Sequence, residues 1–242
     1  MPYLSREELE QIGLRVTAGY RRLLASAGAG ALRVDISLLV RELLGLKVEY
    51  HHLSRSGDTL GVTSFCEVGV EVFDQEGSQY AELDGRTIFV ESDLLREDAV
   101  PGRRNFTLAH EGSHHILKRL FPGEYGVRYR RGGLRILRRD AANGTAPDWE
   151  EWQANALAAA ILLPAGNVRT AMAEYGLGER MRRLNRVFDP VEYERFAAMA
   201  GYLGVSRAAL SIRMTQLGLL EQNYLGRPYD LVDITMDKEG AG

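Results

Sequence analysis

The chain has one cysteine, Cys66, in 242 residues. A single thiol cannot close an internal disulfide, so nothing points to an oxidising compartment. Cys66 ends the apolar stretch Thr63-Ser64-Phe65-Cys66 and is expected to be a small core residue rather than a ligand or nucleophile. Long hydrophobic runs are also missing. The best candidate, Ala154 to Leu163, is far short of the ~18 uncharged apolar residues of a membrane span. The N-terminus is charged and has no apolar core of signal-peptide length. A soluble, cytoplasmic protein is the expectation, with no membrane partner. A large excess of one charge is absent too: 30 Lys and Arg stand against 33 Asp and Glu, and a net charge of -3 gives no global reason to expect nucleic acid or an anionic surface as partner. What is present is an apolar share of 45%, enough for a sizeable core in one domain, or in one domain with a small appended module.

The most informative stretch is His110-Glu111-Gly112-Ser113-His114, inside the helical pattern Asn105 to Leu120. Residues four apart share a helix face, so both imidazoles project to one side and can hold one metal ion. Glu111 stands beside them, placed to hold a water rather than the metal. Two His ligands and a Glu general base form a zinc-peptidase arrangement. Catalytic zinc usually takes a third protein ligand. Glu151, at the start of the helical pattern Trp149 to Leu163, is the best candidate, and Glu150 the runner-up, about 100° around that helix. Asn155 shares a face with Glu151 and can accept from the far nitrogen of a ligand histidine. Alternatively, both glutamates are a solvated acidic first turn. His115 is rotated away from His114 and should not reach the same ion. His51 and His52 alternate along a strand, so both cannot serve one site.

The remaining chain reads as α+β. Ser5 and Glu8 form a capping-box signature for a helix over residues 5–26. Gly28-Ala29-Gly30 ends it, and a shorter helix runs from Asp35 to Leu44 with Gly45 as its cap. Residues 47–91 are expected to form a small, mostly antiparallel sheet, with Asp84-Gly85 as a hairpin turn between 80–83 and 87–90. The metal-binding helix spans Gly102 to Leu120 and stops at Pro122-Gly123. Asp148 caps the next helix and Pro164 breaks it. Ala154, Leu157, Ala158, Ile161 and Leu162 give that helix a small-residue face suited to close packing. Two more helices are expected near 166–175 and 190–203.

Two stretches admit a binding role. From Tyr125 to Arg139 there are six arginines and no acid, either a basic contact surface or a solvated loop with a short hairpin. Residues 196–217 read as helix, tight turn, helix, with Ser206 capping the second. That layout suits DNA reading through Arg207 and Arg213, although a structural or partner-docking helical pair is favoured. The expected organisation is a metallopeptidase domain over 1–165, a helix-turn-helix-like helical region over 166–222, and a tail over 223–242 that frays from Asn223 onward.

Three segments together resemble the ImmA/IrrE family of zinc metallopeptidases. Phe106-Thr107-Leu108-Ala109-His110-Glu111-Gly112-Ser113-His114 is similar to that family's F-T-L-A-H-E-x-x-H helix. The run Glu151 to Pro164 is similar to its E-x-x-A-N-x-F-A-A-x-L-L-M-P helix, and Gly204-Val205-Ser206 with Ala209, Leu210 and Arg213 to its closing segment. The chain departs at Gly112-Ser113, Leu157 and Leu163, which are packing positions. The resemblance implies a gluzincin-like site, with His110, His114 and Glu151 on one zinc ion and Glu111 as catalytic acid/base. It also implies a protein substrate, a helix-turn-helix transcriptional repressor whose cleavage derepresses mobile-element or stress genes. Tyr125, Tyr129, Tyr175 and Arg169 are candidate oxyanion donors. The competing readings are a DNA- or repressor-binding regulator with a structural or vestigial metal site, and a zinc hydrolase of a non-peptide amide.

Overall fold

The computed structural model describes residues 3–25, 32–75, 77–96, 101–125, 135–138 and 148–230. Helix α1 (Arg6–Ala25) opens with the expected capping box: Ser5 N donates to Glu8 Oε2 at 2.7 Å and Glu8 N to Ser5 Oγ at 3.2 Å. The expected glycine stop at 28–30 lies outside the described residues. Asp35 caps α2 (Ile36–Leu38) by accepting from Leu38 N, and the helix widens into a π turn, Leu39–Leu43, before Gly45 turns the chain at φ 66°.

Five strands follow: β1 (Lys47–His51), β2 (Thr59–Thr63), β3 (Glu67–Phe73), β4 (Ser78–Asp84) and β5 (Thr87–Glu91). They do not form one sheet. With β6 (Arg135–Arg138), the four-stranded sheet runs β1-β5-β2-β6, while β3 and β4 make a separate antiparallel ribbon. The sheet is mixed, since β1 pairs β5 in parallel. The expected hairpin at Asp84-Gly85 is therefore corrected. The turn exists, with Gly85 at φ 75° and Asp84 Oδ1 accepting from Arg86 N and Thr87 Oγ1, but it carries the chain from the ribbon into the sheet. The burial patterns give the reason. β5 is buried along its whole length and takes the centre of the sheet, whereas β4 is mostly exposed. Ile88 and Val90 enter the main core under the helices, and Phe89 points the other way, into a small core with Val62, Val70, Val72 and Leu83 under the ribbon.

Strand β2 carries a bulge. Thr59 pairs Arg138 and Gly61 pairs Leu137, which leaves Leu60 as the extra residue. Strict alternation would put Leu60 beside Val62 on the ribbon side. The bulge turns it into the main core instead, while Gly61 faces the helices. Cys66 is corrected as well: it is exposed, in a bend between β2 and β3 that Ser64 holds by accepting from Cys66 N and donating to Cys66 O.

Helix α3 (Pro101–Leu120) packs on β2 and β5 of the sheet and against α4 (Trp149–Leu162), and α1 packs against α4 in turn. Asp148 caps α4 by accepting from Glu150 N at 3.0 Å. Helix α1 meets α4 closely at Ala160, which is not one of the residues of the expected small-residue face: a Cβ on Gly13 would stand 2.8 Å from Ala160 Cβ. Helices α5 (Ala165–Glu174), α6 (Pro190–Leu203) and α7 (Arg207–Gln216) complete the main core. Gly204, at φ 70°, ends α6, and Ser206 caps α7 by accepting from Ala209 N. Strands β7 (Met181–Leu184) and β8 (Leu220–Asn223), parallel neighbours, were not expected. Beyond them the chain is held at least to Pro228: Tyr224 N donates to Leu184 O and Asn185 Nδ2 to Pro228 O. That corrects the expected fraying from Asn223 for this part, and residues 231–242 lie outside the described ones. No single helix among the described residues is long and apolar enough to cross a membrane.

Candidate metal centre

One turn of α3 separates His110 from His114, and both side chains are fully buried between the sheet and α4. Their Nε2 atoms stand 3.0 Å apart. Glu151 approaches from the first turn of α4, placing Oε2 3.1 Å from His110 Nε2 and Oε1 3.4 Å from His114 Nε2. Donor atoms about 2.0–2.2 Å from one tetrahedral cation stand roughly 3.3–3.6 Å from one another. The three separations lie close to that spacing, so His110, His114 and Glu151 fit a small divalent ion.

The hydrogen bonds behind the imidazoles argue the same way. His110 Nδ1 lies 2.9 Å from Asn155 Oδ1, an acceptor, so Nδ1 carries the proton. His114 Nδ1 lies 2.7 Å from the Tyr125 hydroxyl, and that hydroxyl donates to Glu150 O at 3.3 Å. Its oxygen is left to accept from His114 Nδ1. Both Nε2 atoms then face each other as lone pairs, beside a carboxylate. Three acceptors converging in a buried place repel one another unless a cation lies among them. With its side chain 30% exposed, Glu151 marks the open side of the site.

Glu111 is fully buried, on the sheet side of α3. Gly61 makes its room: a Cβ there would stand 2.6 Å from Glu111 Oε1 and 2.7 Å from Thr107 Cγ2. Sequence reasoning missed Gly61, and its only mark is a glycine within a short β-branched run. Tyr125 was offered as an oxyanion donor, yet its hydroxyl stands behind His114, at the nitrogen turned away from Glu151. The turn after α3 puts it there, with Tyr125 N donating to Phe121 O, and Lys118 Nζ holding the turn by donating to Pro122 O and Tyr125 O. Of the other oxyanion candidates, Tyr175 packs near Tyr202, Arg169 is exposed on α5, and Tyr129 lies outside the described residues.

Glu150 is buried on the neighbouring face of α4, and its carbonyl oxygen is what Tyr125 reaches. His115 turns to the sheet, where its Nε2 lies 2.7 Å from Thr63 Oγ1, and burial pushes it down to about 4, so it stays neutral at ordinary pH. His51 lies tilted against the Phe89 ring, with centroids 4.5 Å apart, while His52 meets Glu91 at 2.9 Å. A second group, His52, Glu91 and Asp93, could also gather round a cation. Its Glu91 is already engaged, accepting from Leu53 N and Asp93 N.

The basic residues sort differently from their sequence reading. Arg213 is buried, pairs with Glu10 of α1 through its two terminal guanidinium nitrogens and donates from Nε to Leu163 O, so it faces inward. Arg207 is exposed and lies over Tyr193. From the arginine-rich stretch, the described part is β6, which lengthens the sheet; residues 126–134 and 139 lie outside the described ones.

Residues 69–215 match the family model Peptidase_M78, the IrrE N-terminal-like domain, over more than half of the chain. The matched span contains the three acceptor side chains and Glu111; Gly61 precedes it. A search of curated proteins gives no match.

Proposed function

The chain belongs to the Peptidase_M78 family through its IrrE N-terminal-like domain, and from that premise we propose that it is a zinc-dependent endopeptidase. Its substrate, in this reading, is a helix-turn-helix transcriptional repressor, and cutting it derepresses mobile-element or stress genes. The observation that carries the chemistry is the convergence of His110 Nε2, His114 Nε2 and the Glu151 carboxylate, with Glu111 on the same turn of α3.

Zinc held by His110, His114 and Glu151 supplies Lewis-acid polarisation and a lowered water pKa. His110 and His114 are kept in one tautomer and orientation by Asn155 and Tyr125. Glu111 takes a proton from the attacking water and returns it to the leaving amine. It is buried in the space left by Gly61 and stands outside the His110, His114 and Glu151 group, which suits a base rather than a ligand.

Elemental analysis of the wild type and of His110→Ala, purified without chelators, tests the metal. Near one zinc per chain is expected in the first and near none in the second. Wild type that stays metal-free after reloading with zinc would overturn the reading. Cleavage of a repressor, abolished in Glu111→Gln while the metal stays, tests the reaction.

A further inference from the structure

A cleft of about 1350 Å³ opens beside His110, between the helical layer and the α6–α7 pair. Its floor is apolar, with Leu60, Phe106, Trp152, Ala156, Leu163 and Ile212 among the described residues that line it. Among the described residues its charge is one-sided: Arg6, Arg103, Arg186 and Arg207 line it and are all exposed. The one acid among those lining residues is Glu10, already paired with Arg213. The chain as a whole is negative, so this excess of positive charge is local. Two of the guanidinium groups are held on aromatic rings from different walls. Arg6 lies over Trp152, 6.0 Å from its centroid, and Arg207 over Tyr193, whose hydroxyl it also reaches at 2.5 Å. A guanidinium stacked on a ring keeps edge N–H groups for a carboxylate and loses little freedom on binding one.

The cleft is continuous with the metal centre. Asn155 lines it and accepts from His110, and Phe106, also in the lining, lies 6.3 Å from the His110 ring. We propose that this cleft seats an acidic, apolar segment of the polypeptide substrate, adjoining the bond to be cut. The inference rests on the peptidase reading and names the chemistry of the substrate that the site selects. An apolar floor with arginines on opposite walls suits leucine-like side chains between carboxylates. A nucleic-acid backbone would instead need a continuous basic stripe and would leave that floor uncovered.

The test uses binding rather than turnover. Short fluorescent peptides of alternating leucine and glutamate, leucine and lysine, and leucine and serine are titrated by anisotropy against the full chain carrying Glu111→Gln. The glutamate peptide should bind roughly tenfold or more tightly than the other two, and less tightly in salt. Arg6→Gln with Arg207→Gln, added together, should remove most of that preference, as should Arg103→Gln with Arg186→Gln. Arg22→Gln, exposed on α1 away from the cleft, should leave it intact. Metal content and thermal midpoint of each variant show that the fold is kept. Equal binding of the three peptides, or a preference indifferent to both double variants, overturns the inference, as does a DNA duplex displacing the glutamate peptide at lower concentration. If the chain proves metal-free yet shows the arginine-dependent preference, the peptidase reading falls and the cleft stands. If metal and cleavage are intact but no preference appears, the cleft alone falls.

Discussion

Gly61 of β2 and Glu111 of α3 share one volume: the Cβ that Gly61 lacks would lie 2.6 Å from Glu111 Oε1. Only a strand residue without a side chain lets the carboxylate sit there. Gly61→Ala should therefore move Glu111 rather than the metal, since His110, His114 and Glu151 lie on the α4 side of the helix. The expected result is a fall in kcat/KM of about 10–100-fold, with zinc content unchanged. Thr107 Cγ2, at 2.7 Å, is a stiff neighbour, so a stability loss of about 1–3 kcal/mol should accompany it. Elemental analysis beside steady-state cleavage checks the split. Loss of metal in this variant would show that Gly61 supports the ligands instead.

Tyr125→Phe and Asn155→Leu address the opposite side of the imidazoles. Each removes the acceptor that holds one Nδ1 proton, so each should weaken metal binding by about 10–100-fold. Competition with a fluorescent chelator measures it. Glu111→Gln is the contrast, with activity lost and metal affinity kept. Should Tyr125→Phe retain wild-type affinity, the His114–Tyr125–Glu150 chain would be packing only.

What could be read beforehand was what is local. The Ser5–Glu8 box, the Asp148 and Ser206 caps and the four-residue step from His110 to His114 are all settled within one helical turn. Glu151 was legible because it opens a helix of its own with Asn155 one turn on. The misses are long-range. Asp84-Gly85 specifies a turn but says nothing of which strands will pair, and burial of β5 on both faces decided that. Strand β2 is short, contains a glycine and is bulged, so its alternation is broken where it meets Glu111. Cys66 has apolar neighbours in sequence but sits where Ser64 bends the chain outward. Tyr125 is polar only at its tip, and nothing before folding says that the tip meets His114.

Arg213 joins three distant parts of the chain: its own α7, Glu10 on α1 and the Leu163 carbonyl after α4. Its side chain is 2% exposed, against 25% for Glu10. Arg213→Ala should cost about 2–4 kcal/mol, since it loses a charged pair and leaves a carbonyl without its donor. Urea unfolding measures this. Glu10→Gln should cost less than Arg213→Ala, because the amide oxygen still accepts from the buried guanidinium. An Arg213→Ala variant of unchanged stability would place the residue on the surface, free to contact a partner.

Gly102 ties the α6–α7 turn to the metal-bearing helix. A Cβ there would stand 2.3 Å from Ser206 N and 2.5 Å from the Val205 carbonyl carbon, and backbone cannot yield as a flexible side chain can. Three residues on, Asn105 Nδ2 donates to Gly204 O at 2.8 Å and secures the same turn. Gly102→Ala should therefore push the α6–α7 pair off α3, at a cost of about 2–3 kcal/mol or more, where Asn105→Ala should cost about 1 kcal/mol. Hydrogen exchange locates the damage: α7 amides should lose protection in Gly102→Ala while those of β5, at the centre of the sheet, follow global stability. Because Gly102 and Ser206 both line the cleft, this displacement should also weaken the glutamate peptide without removing the metal. Loss of metal together with peptide binding would instead mean that α6 and α7 help to hold the ligand helix in place.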